Sequence, residues 1–326
     1  MRMISGRLLC PLLLGFGLLL GSGTLLAQSF PSKPVRIIVP APPGGAIDII
    51  ARLLGERLTP MWGQSVLVEN KPGGSQIIGT DVVAKSAPDG YNLVIVVSSH
   101  AVNPVLFKTL PYDSMKDFSF VMQTHVVPLL LAVAPSLPIK TIPELLAYAK
   151  ANPGKLSYAS GGQGSSLHTA AELFKSMTGT DILHIPYKGS SAAHPDVLSG
   201  RTSMIFDTIT AIMPHVRSGA VRSVAVTTLK RSSIAPEVPT IAESGVPGFD
   251  TSSWGGILAA PGTPRDVIET LNAGMNKVLL TPDVGAKLSA SGIEVVGGSA
   301  RQWEDFMQAE IRKWAKVARD AGIKPE

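Results

Sequence analysis

Ser165, Ser166, His168 and Glu172 supply the residue types of a nucleophile, a base and an orienting carboxylate in one short segment. Ser165 and His168 are three apart and His168 and Glu172 four apart, so a helix sets them on one face. A serine hydrolase also needs its base aimed at the hydroxyl oxygen and a separate oxyanion hole. The Gly-x-Ser-x-Gly elbow is missing after residue 27. The preferred reading is a helix-capping serine with an inward histidine. An exported serine hydrolase using Ser165 and His168 stands as the alternative.

Two glycine-rich segments offer different chemistry. Pro42-Pro43-Gly44-Gly45-Ala46-Ile47-Asp48 follows the β-branched run Val35–Val39, and Ser160-Gly161-Gly162-Gln163-Gly164-Ser165-Ser166-Leu167-His168 follows Lys155–Ala159. Each reads as a turn from a strand into a helix. A helix N-terminus presents unpaired N–H groups and the positive end of the dipole. Glycine admits a ligand close to that backbone. Together they hold an anion without a charged side chain. Two such turns, far apart in sequence, suggest one anion gripped from two sides. Ordinary βα loops are the simpler reading of either turn alone.

Other chemistries fit less well. Gly162-Gln163-Gly164 has Leu167 where a dinucleotide fingerprint needs its third glycine. The histidines at 100, 125, 168, 184, 194 and 215 show no zinc-ligand spacing. No metal or cofactor is therefore expected. Asp48 reads as a first-turn acid favoured by the helix dipole. Asp207 reads as an acceptor for a ligand or a brace for a loop. Lys188 is a candidate partner for a second carboxylate.

Alternating strand-like and helix-like segments position these residues and argue an α/β architecture. Strands are expected at Val35–Val39, Val66–Glu69, Leu93–Val97, Leu129–Ala134, Leu156–Ala159, Ile182–Pro186, Met204–Phe206 and Val221–Val226. Ser98, Ser99 and His100 fall at the C-terminal edge of the third. Helices are expected at Ala46–Leu58, Ile77–Lys85, Glu144–Lys150, from Ser165 or Ser166 to Phe174, Pro264–Leu280 and Arg301–Ala321. The last carries Trp303, Phe306, Ile311 and Trp314 on one side.

Residues 1–27 read as a secretory signal: Arg2 and Arg7, an apolar stretch from Leu8 to Leu20, and a small residue at Ala27. Cys10 is the sole cysteine, so a chain processed after Ala27 forms no disulfide. An exported protein without disulfides fits a bacterial periplasm. The formal charge of +5 becomes +3 without Arg2 and Arg7, and it is dispersed. Nucleic-acid binding wants a denser basic stripe.

The motifs resemble the Bug (TctC-like) substrate receptors of tripartite tricarboxylate transporters. They include Pro43-Gly44-Gly45 with Asp48, Val68-Glu69-Asn70-Lys71-Pro72-Gly73, and Ser86-Ala87-Pro88-Asp89-Gly90-Tyr91. Val102-Asn103-Pro104, Leu110-Pro111-Tyr112-Asp113, His184-Ile185-Pro186-Tyr187-Lys188-Gly189, Phe206-Asp207 and Ala260-Pro261-Gly262-Thr263-Pro264 follow in order. The resemblance implies a type II periplasmic-binding-protein fold, with two αβ lobes and a ligand cleft between them. It implies a receptor, not an enzyme, that captures a small carboxylate and presents it to a membrane permease. A ligand sensor for a membrane signalling partner is the other alternative. Lobe 1 is expected over 28–127 plus 253–326 and lobe 2 over 128–252, with hinges near Val127-Pro128 and Thr251-Ser252-Ser253, in a monomeric chain.

The ligand-binding residues expected are Pro43, Gly44, Gly45, Asp48, Gly73, Ser98, Ser99, His100, Gly162, Gly164, Ser165, Ser166, His168, Tyr187, Lys188 and Asp207. Three departures from the family pattern bear on ligand identity. Ala41 stands where relatives often carry an aromatic residue, His194-Pro195 interrupts a helix start, and Thr208-Ile209-Thr210 follows Asp207.

Overall fold

The computed structural model describes residues 30–320 and residue 325. The expected signal segment lies outside the described residues. In chain order the elements are β1 (Val35–Val39), α1 (Ala46–Trp62), β2 (Val66–Asn70), α2 (Ile77–Ala84), β3 (Asn92–Val97), α3 (Ser99–Leu106) and β4 (Ser119–Val133). Then come α4 (Ile142–Ala151), β5 (Ser157–Ser160), α5 (Ser166–Thr178), β6 (Leu183–Pro186), α6 (Ser190–Leu198), β7 (Met204–Thr208), α7 (Ile209–Arg217) and β8 (Arg222–Val226). The chain ends with β9 (Ser252–Ala259), α8 (Arg265–Leu279), α9 (Pro282–Ala290), β10 (Glu294–Gly297) and α10 (Ala300–Asp320).

The strands run in the order β2-β1-β3-β9-β4-β7-β5-β6, with β8 and β10 also paired to β4. Strand β4 is shared by two sheets. Its residues Ser119–Pro128 pair with β9, and Leu129–Val133 pair with β7. The chain thus crosses from a first lobe to a second on β4 and returns on β9. The crossings are paired at the junction itself, Val127 against Ser253 and Pro128 against Ser252.

The registers fix which ends meet. β3 ends at Val97 opposite Gly255, and Gly255 lies opposite His125 of β4. β7 runs the other way and ends at Thr208 opposite Leu129. From His125 to Leu129 the strand advances about 13 Å at ~3.3 Å per residue. The carboxyl ends of the parallel strands of both lobes therefore face each other across this short stretch. β1 is parallel to β3, and β5 is parallel to both β6 and β7, so their following loops face the same gap. In open α/β sheets ligands sit outside such strand ends.

Helix α10 ties this crossing down. Its Glu310 carboxylate is buried and accepts from Trp254 Nε1 of β9 at 2.9 Å and from Trp314 Nε1 at 3.1 Å. Lys313 pairs with the other carboxylate oxygen. Trp254 packs edge-on against Trp303 and Phe306, with centroids 5.5 and 5.4 Å apart. Gly256 permits this approach, since a Cβ there would lie 2.4 Å from the Trp303 ring. The far turns of α10 bring Trp314, Val317 and Ala318 against α3 of the first lobe and His168 and Glu172 of the second, leaving a cavity of about 10 Å³.

Replacing Glu310 by Ala strands two indole N–H groups without their acceptor. An unsatisfied buried polar group costs about 1–3 kcal/mol. The Glu310→Ala variant is expected to lose at least that much unfolding free energy in urea. An unchanged midpoint would contradict the anchoring role.

Candidate functional site

The first turn is built from its backbone outward. β1 ends at Val39, and Gly44 turns the chain at φ 94°, a left-handed value that favours glycine. Asp48 is 3 % exposed, and Oδ2 accepts from the Gly44 N–H at 2.9 Å. Arg52 donates to both Asp48 oxygens at 3.0 Å, and Asn70 Nδ2 donates to Oδ1 at 2.9 Å and to the Ala41 carbonyl at 3.0 Å. Burial pushes the Asp48 pKa up, but the hydrogen bonds from Arg52, Gly44 and Asn70 outweigh it and hold it below the usual range. Asp48 is thus a brace that shapes the turn.

The N–H of Gly44 is consumed by this brace. The N-cap residue of α1 is Gly45, which supplies no side-chain cap. The N–H groups of Gly45, Ala46 and Ile47 donate to no acceptor among the described residues. A Cβ built on Gly45 meets nothing within 4 Å. The free donors lie one to three residues beyond the first glycine.

The second turn follows the same logic with different parts. Gly162 (φ 111°) and Gly164 (φ 75°) bend the chain after β5. The Gly162 N–H donates to Ser160 Oγ at 3.1 Å, and Ser160 Oγ pairs with His184 Nε2 at 2.7 Å. The Gly164 N–H donates to His168 Nδ1 at 3.3 Å. Ser165 caps α5: its hydroxyl donates to the Gly162 carbonyl at 2.7 Å and accepts from the His168 N–H at 3.3 Å. The N–H groups of Ser166 and Leu167 stay without an acceptor among the described residues. Here too the glycines shape the loop, and the first helical turn carries the free donors.

The Ser165 hydroxyl donates to the Gly162 carbonyl and the His168 ring accepts from the Gly164 N–H, so the two side chains do not bond to each other; only the His168 backbone N–H meets Ser165 Oγ. The imidazole ring stacks on His184 at 4.4 Å, and His184 on Tyr158 at 4.8 Å. Burial, with His184 beside it, pulls the His168 pKa down to about 4. A neutral Nδ1 is what the Gly164 bond requires. Below this stack Glu172 accepts from Tyr158 at 2.6 Å and from Lys175 at 2.7 Å. Burial raises the Glu172 pKa, but these two hydrogen bonds hold it below its ordinary value.

The remaining residues divide by place. Gly189 opens α6 beside Gly161, whose Cβ would lie 3.6 Å from the Gly189 Cα, so Lys188 and Tyr187 flank the second turn. Lys188 is exposed. Tyr187 is tied by its hydroxyl to Asp196 at 2.7 Å. Asp207, fully buried, meets His194 Nε2 at 2.6 Å and accepts from the Thr208 N–H at 2.7 Å, so both its oxygens are engaged within the lobe. Ser98 and Ser99 open α3. His100 is buried, holds the Ser114 carbonyl through Nε2 at 3.0 Å and stacks on Tyr112. Pro43 lies in the first turn, and Gly73 in the loop after β2.

The second turn meets helix α3 of the first lobe. A Cβ on Gly164 would come within 2.6 Å of Leu106 Cδ1 of α3. Grooves of about 580 and 620 Å³ exist elsewhere, one near Met177 and Gly245 and one near Phe107 and Asp113. Neither is lined by the turn residues. Asn103 of α3, in the Val102-Asn103-Pro104 motif, was not expected at the site, yet its Oδ1 lies 4.0 Å from where a Cβ on Gly164 would stand. The helical character of α3 was the lost signal.

Residues 50–323 match the family model of the tripartite tricarboxylate transporter family receptor. The chain belongs to this family. It is 39% identical over 300 residues to the protein BugT of Bordetella pertussis, covering 91% of this chain and 92% of that protein. A structure described as an R. palustris protein with adipate is similar at a TM-score of 0.81 and 39% identity, covering 91% of this chain and all of that one. MatC from Rhodopseudomonas palustris with bound malate is similar at a TM-score of 0.76 and 29% identity, covering 88% of this chain and 99% of that one. Family members of this kind are periplasmic solute-binding receptors with two αβ lobes. The expected fold is the one observed.

Buried neutral imidazoles give the fold a pH dependence. His100, His125 and His168 are each drawn by burial to about 4, from an ordinary 6.5. Above pH 6.5 they are neutral in both states. Between pH 6.5 and 4 the unfolded chain takes up protons that the folded chain refuses, so stability falls with pH. The lowered Asp48 and Glu172 act in the same direction, their contribution being lost as pH falls through their folded values. Urea midpoints are expected to drop steadily through this window, and a flat profile would contradict the buried neutral stack.

Proposed function

We propose that this chain is an extracytoplasmic receptor that captures a small carboxylate between its lobes and delivers it to the permease of a tripartite transporter. It performs no chemistry and acts as a monomer in the periplasm after export through residues 1–27. The lobes are residues 28–127 plus 253–326 and residues 128–252, hinged where Val127-Pro128 pairs with Ser252-Ser253.

One observation carries this reading. Two helix N-termini with unclaimed N–H groups follow strands whose carboxyl ends face each other across the crossing. An anion there completes the hydrogen bonding of both helices and meets the positive ends of both dipoles. Hydrogen bonds to a charged group contribute about 1.5–3 kcal/mol each. Four of them reach the range of micromolar affinity, about −8 kcal/mol, after the costs of closure. The adipate and malate held by related receptors support a carboxylate ligand. The separate bonding of Ser165 and His168 supports capture over hydrolysis. Lys188, exposed beside the second turn, is a partner for a second carboxylate.

Gly45 separates binding from folding. Its φ of −80° and ψ of 170° suit a β-branched residue, and its Cβ direction is open. Gly45→Val is expected to keep the thermal midpoint of the unliganded protein and to weaken adipate binding about tenfold or more in calorimetry. Unchanged affinity in the folded variant would remove the first turn from the site. Saturating adipate, at about 100 times its dissociation constant, is expected to stabilise the native protein by ~2.7 kcal/mol.

A further inference from the structure

The loop after β2 holds four consecutive residues at positive φ: Gly73 at 129°, Gly74 at 53°, Ser75 at 51° and Gln76 at 73°. Ser75 and Gln76 are the non-glycine residues with positive φ among the described residues. The left-handed region crowds their Cβ atoms, so each resists this conformation. Such strain persists where surrounding contacts over-determine it.

Those contacts come chiefly from α3. Asn103 Nδ2 donates to the Ser75 carbonyl at 3.1 Å, and Ser99 Oγ donates to Gln76 Oε1 at 3.1 Å. Thr80 Oγ1 holds the Gln76 carbonyl at 2.9 Å. Asn103 is 1 % exposed, and its Oδ1 is buried without a completed hydrogen bond. The Tyr112 hydroxyl lies beside the amide without satisfying that oxygen. Oδ1 points instead toward the other lobe, 4.0 Å from where a Cβ on Gly164 would stand. One side chain therefore touches a strained turn of the first lobe at one end and borders the anion turn of the second at the other.

We propose that Asn103 is the positioning residue that holds the Gly73–Gln76 turn in its left-handed form and joins it to the Gly164 turn, making this loop a third wall of the cleft. The inference rests on the carboxylate-cleft reading for its consequence in binding, but the brace itself is tested without ligand. The turn's own N–H groups support a wall role: those of Gly73, Gly74 and Ser75 make no hydrogen bond within the described residues. The exposed Ile78 folds its side chain over Gly73, where a Cβ would meet it at 2.7 Å.

The test is amide hydrogen exchange followed by NMR on the unliganded full chain. The Ile77 N–H, bonded to the Gly74 carbonyl, reports the strained turn; the Ser165 N–H, bonded to the Gly162 carbonyl, reports the second lobe's turn. Asn103→Ala is expected to speed exchange at Ile77 about tenfold, the size of one unrelieved left-handed residue, and to speed Ser165 as well. Adding Ser75→Gly relieves the strain, so Ile77 returns toward the parent rate while Ser165 stays fast. A local packing role for Asn103 predicts no such rescue. Unchanged exchange at Ile77 in Asn103→Ala, or no slowing on adding Ser75→Gly, would overturn the brace; an unmoved Ser165 would overturn the join. Should Asn103→Ala not fold, Ser75→Gly alone decides the strain at this exposed position: it is expected to slow Ile77 about fivefold, and no slowing counts against the proposal. Adipate titration of the same proteins then reads the consequence, with about tenfold weaker binding in Asn103→Ala and partial recovery in the double variant. Tenfold loss without recovery would contradict the brace. No adipate binding by the parent, with the exchange pattern intact, would remove the carboxylate reading and leave the brace standing.

Discussion

Everything at the cleft depends on a single strand belonging to two sheets. β4 pairs with β9 up to Pro128 and with β7 from Leu129, without an intervening loop. Because its ladder is continuous, the registers on either side are linked, and they bring the carboxyl ends of β3 and β7 to face each other a few residues apart. A flexible linker would leave that relation to chance. A paired crossing fixes it, and Pro128 at the junction omits one ladder donor. Glu310, by taking both indole N–H groups, fastens the last helix to the same place.

The charged side chains nearest the turns shape them. Asp48 is neutralised by Arg52 and spends its oxygens on Gly44 and Asn70. Asp207 spends its own on His194 and Thr208. His168 and Ser160 take up the glycine N–H groups of the second turn. What these braces leave over is the first turn of α1 and of α5, whose leading N–H groups find no acceptor among the described residues. The site proposed above is made of backbone donors, and such a site tolerates variation in the side chains around it; the related structures with adipate and malate hold acids of different length.

Much of this was legible in the residues. The glycine turns, the strands before them and the capping role of Ser165 follow from φ preference and helix-end chemistry. The apolar side of α10 follows from its periodicity, and Trp303 and Trp314 are buried where that pattern puts them. Other parts were hidden. The strand was expected only from Leu129, but β4 begins at Ser119 and its first part carries Gln123, Thr124 and His125. They are nonetheless buried because the strand is covered on both faces. No strand was expected over β9, whose Gly255 and Gly256 are the positions where His125 and Trp303 press on the backbone. Ser98, Ser99 and His100 read as a strand edge, whereas Ser99 begins α3, which runs on through Pro104 to Leu106. The glycines of both turns were legible as turns from a strand into a helix. That their own N–H groups serve the loop was not, because it depends on Asp48 and His168 folding back.

The measurement closest to the central claim is a ¹⁵N–¹H titration of the native protein with adipate, following the amides of Ala46 and Ile47 in one lobe and Ser166 and Leu167 in the other. The account predicts that both pairs shift on titration and yield one common dissociation constant. Shifts confined to one lobe, or two different constants, would contradict a single carboxylate held from both sides.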